Sequence, residues 1–65
     1  MNVSLNQQPT QLPAQASVQD ALALLQPKPP FAVAVNTVFV PRAQYASRQL
    51  QEGDRVEVIA PVTGG

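Results

Sequence analysis

Residues 31–41 read Phe-Ala-Val-Ala-Val-Asn-Thr-Val-Phe-Val-Pro. Phe31, Val33 and Val35 alternate with the small Ala32 and Ala34, the period-two pattern of a strand with one bulky face. Such a strand is expected near the middle of a sheet. Asn36-Thr37 turns the chain into the short segment Val38-Phe39-Val40, which Pro41 stops because it has no N–H to give to a ladder.

Downstream, residues 42–52 are less regular, with one helical turn expected near Ala43–Ser47 and with Tyr45 and Leu50 available to tuck apolar area under a long loop. Glu52-Gly53-Asp54 signals a turn, since Gly53 is free to take positive φ. Arg55-Val56-Glu57-Val58-Ile59 is then a last strand with Val56 and Val58 inward, closed by Pro61. Val62-Thr63-Gly64-Gly65 has too little bulk to anchor itself and is expected to project as a tail, giving a domain over 1–60 and a C-terminal arm over 61–65.

Upstream, the prolines of Pro27-Lys28-Pro29-Pro30 must end any helix before them. Ser17 with Asp20 three residues on is a variant of the capping box. A helix is therefore expected over Val18–Leu25. Val18, Ala21, Leu22 and Leu25 form its apolar stripe, and Leu24 widens it. With so few residues on either side, the proline segment reads as a crossover inside one domain rather than as a linker. Residues 2–6 alternate, with Val3 and Leu5 on one side, and Gln7-Gln8-Pro9 then turns the chain. A second strand around Thr10–Leu12 is confined to a sheet edge by Pro9 and Pro13. The element order β-β-α-β-β-β describes an α+β fold, a mixed sheet of four to five strands with one packed helix, the arrangement known as the ubiquitin-like β-grasp.

Composition narrows the function. A chain of 65 residues buries only about 60% of its unfolded surface, which leaves no room for a deep catalytic cleft. It contains no cysteine and no histidine, so disulfides, thiolate nucleophiles and Cys/His metal sites must come from elsewhere. Four basic and four acidic residues cancel, and without a Lys/Arg cluster nucleic acid is not an expected ligand. No apolar run approaches the roughly 18–20 residues of a membrane span, and Met1-Asn2-Val3-Ser4 lacks the pattern of a signal peptide, so a cytoplasmic protein without membrane contact is expected. No acid pair, and no nucleophile beside a base, suggests an enzyme.

That leaves the terminal Gly64-Gly65. Such an end is either a frayed terminus or a carboxylate on a thin arm. The five residues 61–65 span roughly 16 Å when extended, enough to enter another protein's active site. Glycine has no Cβ, so a narrow channel admits it. Phe39 and Ile59 fall on the parity opposite Val38/Val40 and Val56/Val58, and read either as scattered surface hydrophobicity or as a candidate docking patch. Arg42 and Arg55 read as solvated surface charge, or as partners for acidic groups on another protein, and Asp54 and Glu57 as solvated surface charge.

Phe-Ala-Val-Ala-Val-Asn at 31–36, Val40-Pro41-Arg42, Tyr45, Leu50, Glu52-Gly53-Asp54, Val56-Glu57-Val58-Ile59 and Gly64-Gly65 together resemble the thiamine-biosynthesis sulfur carriers, the ThiS family. The resemblance is close over 31–65. Over 1–30 it extends to length and element order, and the prolines at 27–30 depart from the family pattern. It implies a carrier with no catalytic site, no bound cofactor and no metal. An E1-like adenylyltransferase of the ThiF type would use ATP to adenylate the Gly65 carboxylate. A persulfide sulfur donor, such as a cysteine desulfurase, would convert the adenylate to a thiocarboxylate, and thiazole synthase (ThiG type) would take the sulfur. Gly64, Thr63 and Val62 would thread into the partner's site. The rival readings are a molybdopterin-synthase small subunit, usually somewhat longer, a ubiquitin-like protein modifier, and an interaction module in which the glycines are inert.

Overall fold

A computed structural model describes residues 1–60. Its elements are β1 (Asn2–Leu5), β2 (Gln8–Gln11), α1 (Val18–Leu25), β3 (Ala32–Val35), β4 (Val38–Val40), a single 3₁₀ turn (Arg42–Gln44) and β5 (Arg55–Ile59). The strands form one sheet in the order β2-β1-β5-β3-β4. β1 and β5 run parallel, and the other neighbours run antiparallel. This is the mixed β-grasp sheet expected from the element order. The last strand lies in its centre, between the first and the third.

Both hairpins are tight. Asn6 and Gln7 (φ 49° and 70°) connect β1 to β2, and Asn36 and Thr37 (φ 52° and 71°) connect β3 to β4. Two consecutive residues at positive φ match the right-handed twist of the paired strands, and asparagine tolerates that region better than most residues. The first turn therefore sits one residue earlier than the expected Gln7-Gln8-Pro9, and Gln8 and Pro9 belong to β2. Pro9 pairs with Ser4, which is tolerated because β2 is the sheet edge and proline's missing donor can face solvent.

The helix begins and ends where the sequence predicts. Ser17 Oγ accepts from the Asp20 N–H at 3.3 Å, and the Asp20 carboxylate accepts from the Ser17 N–H at 2.8 Å, completing the capping box. The two remaining free donors of the first turn go to the long loop: the Val18 N–H reaches the Arg48 carbonyl and the Gln19 N–H that of Tyr45. At the other end Gln26 takes a left-handed conformation (φ 50°) and donates to the Leu22 carbonyl, and the prolines follow.

Val18 of α1, Val33 and Val35 of β3 and Val56 of β5 are fully buried, each contributing about 1.5–3 kcal/mol of apolar burial. Val3, Leu5, Leu12, Ala16, Ala21, Leu22, Val40 and Leu50 complete the core, with Met1, Leu25, Phe31, Tyr45 and Val58 partly buried against it. Leu24, expected to widen the helix stripe, is instead 61% exposed. At 100° per residue it lies roughly 110° from the middle of the stripe made by Val18, Ala21, Leu22 and Leu25, beyond the reach of the sheet.

Candidate functional site

β5 carries the chain toward the C-terminus from the middle of the sheet. On one flank it pairs with β3 as far as Ile59, which faces Ala32. On the other flank the strand pairing with β1 stops at Leu5 and Val56. There Asn6 takes over. Its N–H donates to the Val56 carbonyl at 2.9 Å, and its side-chain Oδ1 accepts the Val58 N–H at 2.8 Å. The described chain ends one residue past Ile59, at Ala60. The predicted tail residues Val62, Thr63, Gly64 and Gly65, and Pro61 before them, lie outside the described residues.

The beginning of β5 is held by a second asparagine. Asn36 donates its own N–H to the Arg55 carbonyl at 2.8 Å, and its Oδ1 accepts from the Arg55 N–H at 2.9 Å. Asn36 Nδ2 donates to Asp54 Oδ1 at 2.9 Å, and the Gln51 N–H donates to Asp54 Oδ2 at 2.8 Å. Asp54 is 8% exposed, which corrects the expectation of a solvated surface charge. A carboxylate can be buried here because both of its oxygens accept hydrogen bonds. Gly53 turns the chain just before it at φ 85°, as the Glu52-Gly53-Asp54 signal predicts.

Phe39 and Ile59 lie on the sheet face away from the helix. Val33 and Val35 point to the core, so Ala32 and Ala34 point to the other face, and the register sets Phe39 beside Ala34 and Ile59 beside Ala32. Phe39 is 64% exposed and Ile59 57%. The two alanines between them have no bulk, so the four residues make a continuous apolar strip running from β4 across β3 to the end of β5. Half-buried Glu57, paired with Ala34, borders it. Val38 shares the parity of buried Val40 yet is 62% exposed: it sits at the turn end of the outermost strand, where no other described residue covers it.

Two hollows share Pro30 and Phe31, and the first of them adjoins the strip through Ala32 and Ile59. One is lined by Pro30, Phe31, Ala32 and Ile59. The other is lined by Pro29, Pro30, Phe31, Arg42 and Tyr45, with the rings of Phe31 and Tyr45 stacked at 6.3 Å and 12°. Arg42 and Arg55 are exposed. Among the described residues no cluster of acids is placed to hold a metal ion, and no helix is long and apolar enough to cross a membrane.

A small mixed sheet with its last strand in the centre and an apolar strip beside that strand's exit is the frame against which relatives can be compared. The sequence model of the ThiS family matches residues 3–65. The chain belongs to the ThiS family. The match takes in Gly64-Gly65 as well as the sheet from Val3 onward. A crystal structure of a thiamine biosynthesis protein (ThiS) from Geobacter metallireducens superposes with a TM-score of 0.82 at 23% identity, each chain covered in full. The solution NMR structure of a thiamine biosynthesis protein from the same organism gives a TM-score of 0.76 at 23% identity, covering all of this chain and 88% of the other. At that identity the superpositions establish the β-grasp fold of this ThiS-family chain. No curated protein matches it significantly.

Strand parity was enough to find Phe39 and Ile59. The sequence reading misses the hold of Asn6 and Asn36 on β5, although both asparagines follow an alternating apolar strand and open a turn, which is the usual place for a side-chain acceptor.

Proposed function

We propose that this chain is a sulfur carrier of thiamine biosynthesis, with its cargo held on the C-terminal carbonyl of Gly65. The observation that carries this reading is the family match extending through Gly64-Gly65. A free carboxylate is a poor acyl donor until one of its oxygens becomes a good leaving group. An E1-like adenylyltransferase supplies that by transferring AMP from ATP to Gly65 with release of pyrophosphate. A donor persulfide of the cysteine desulfurase kind then attacks the carbonyl and AMP departs. Reduction of the resulting acyl disulfide by a thiol leaves a thiocarboxylate, from which thiazole synthase draws its sulfur.

The carrier's part is presentation. An arm of five residues reaches roughly 16 Å, and glycine at its end passes a channel too narrow for a side chain. Nucleotide and the catalytic groups belong to the partner, so the carrier acts as a co-substrate with no catalytic site. The strip of Phe39, Ala34, Ala32 and Ile59 is the surface on which the adenylyltransferase docks. An exposed apolar surface of this kind beside the root of the arm suits a partner that must receive the arm.

The test is intact-mass spectrometry after incubation with ATP, the adenylyltransferase and a persulfide donor. Replacement of one oxygen by sulfur at Gly65 is expected, and a chain lacking Gly65 should gain none. A wild-type mass that never changes while the same enzymes load another carrier overturns the reading.

A further inference from the structure

We propose that Asn6 is a positioning residue for the arm, its side chain fixing the point at which the rigid sheet ends and hence the direction in which Gly65 is presented. This inference rests on the carrier reading.

The argument starts from the unequal lengths of β1 and β5. Strand pairing between them ends at Leu5 and Val56, but β5 continues to Ile59. Asn6, at φ 49°, already turns the chain toward β2, so β1 offers no main-chain acceptor for the Val58 N–H. Asn6 Oδ1 fills that place at 2.8 Å, while the Asn6 N–H bonds the Val56 carbonyl at 2.9 Å. One residue thus makes two successive rungs, the first with its backbone and the second with its side chain.

On the opposite flank the last pair is Ala32 with Ile59. Among the described residues the final tie to the β1 side is therefore a single side-chain acceptor. Without it, residues 58–60 would be held from the β3 side alone, and the pivot of the arm would retreat by about two residues. Lengthening a free arm from five to seven residues lowers the effective concentration of its end by a factor of about 1.7. Loss of a fixed exit direction adds to this, because a reacting group must be aligned as well as near.

Two substitutions separate the acceptor from the turn. Asn6→Gly keeps the positive φ and removes Oδ1, whereas Asn6→Asp keeps both an acceptor and tolerance of that φ. The readouts are backbone ¹⁵N order parameters at residues 58–60 and the kcat of adenylate formation, by ATP–pyrophosphate exchange at saturating carrier. In Asn6→Gly the order parameters of Val58 and Ile59 should fall from sheet-like values of about 0.85 toward 0.6, and kcat should fall about 3- to 10-fold. Asn6→Asp should restore both. An Asn6→Gly carrier adenylated at the wild-type kcat, or one with unchanged order parameters, overturns the inference. A wild-type chain that is never adenylated overturns the carrier reading and this role with it, so the two failures are told apart.

Discussion

Asn6 and Asn36 stand in the same relation to β5: each opens a two-residue turn at positive φ, and each points its Oδ1 at a β5 amide, Val58 at 2.8 Å for Asn6 and Arg55 at 2.9 Å for Asn36. β1 runs parallel to β5 and β3 antiparallel, so the two turns fall at opposite ends of it. A five-residue strand is thereby tied at its start by one hairpin and near its end by the other. The last strand before the C-terminus is the middle one of the sheet.

Asn36→Ala should be the more damaging of the two truncations. It removes the acceptor for the Arg55 N–H and also the Nδ2 donor to Asp54 Oδ1. A nearly buried carboxylate then loses one of its two partners, at a cost of about 2–3 kcal/mol. For a domain of this size that lowers Tm by roughly 10–20 °C. Thermal unfolding followed by circular dichroism checks this, and a loss of under about 3 °C would mean that water replaces the amide without penalty.

Thr37→Gly should stabilise the fold. Thr37 is β-branched and sits at φ 71°, a region that costs an L-residue about 1–2 kcal/mol. Glycine removes that strain but returns about 0.4–1 kcal/mol as greater freedom of the unfolded chain. A net gain of about 0.5–1 kcal/mol is expected in urea unfolding, with an unchanged m-value. A destabilised variant would show that the threonine hydroxyl matters more than its backbone.

The helix was legible to the residue because Ser17 and Asp20 mark one end and Pro27 the other, all local signals. β3, β4 and β5 were legible from alternation, and the outward parity of Phe39 and Ile59 came with them. The first turn was misplaced because Pro9 looks like a breaker, and only the edge position of β2 makes it tolerable. Asp54 was read as solvated because nothing in the sequence shows that Asn36, distant along the chain, lies beside it. Its burial, like the acceptor role of Asn6, depends on β5 entering between β1 and β3. That is a tertiary event: the place of an asparagine in its turn marks a side-chain acceptor but does not show which strand will meet it.

Ser17→Ala should lower stability by about 1 kcal/mol, the usual worth of an N-cap side chain. The loss should stay near that figure, since the Val18 and Gln19 donors keep their partners in the 45–48 loop. Asp20→Ala should cost a similar amount by removing the acceptor of the Ser17 N–H. The double variant should lose less than the sum of the two, because both residues serve one reciprocal motif. Chemical denaturation of the three variants measures the coupling, and strict additivity would show that the box does not act as a unit.

Phe39→Lys and Ile59→Lys should weaken docking of the adenylyltransferase while sparing the fold. Both side chains are more than half exposed, and changes at such positions shift stability by about 0.5 kcal/mol or less. At a partner interface the same residues would be desolvated, and losing an aromatic or large aliphatic anchor there costs about 1–2 kcal/mol, or roughly 5- to 30-fold in the KM for the carrier. Leu24→Lys is the matching control. Leu24 is as exposed, at 61%, but belongs to the helix, on the other side of the sheet from the strip. A general need for surface hydrophobicity would make all three variants equally poor substrates. A docking strip beside the root of the arm predicts that Leu24→Lys keeps the wild-type KM, and a KM unmoved by Phe39→Lys and Ile59→Lys would mean that the partner grips some other face.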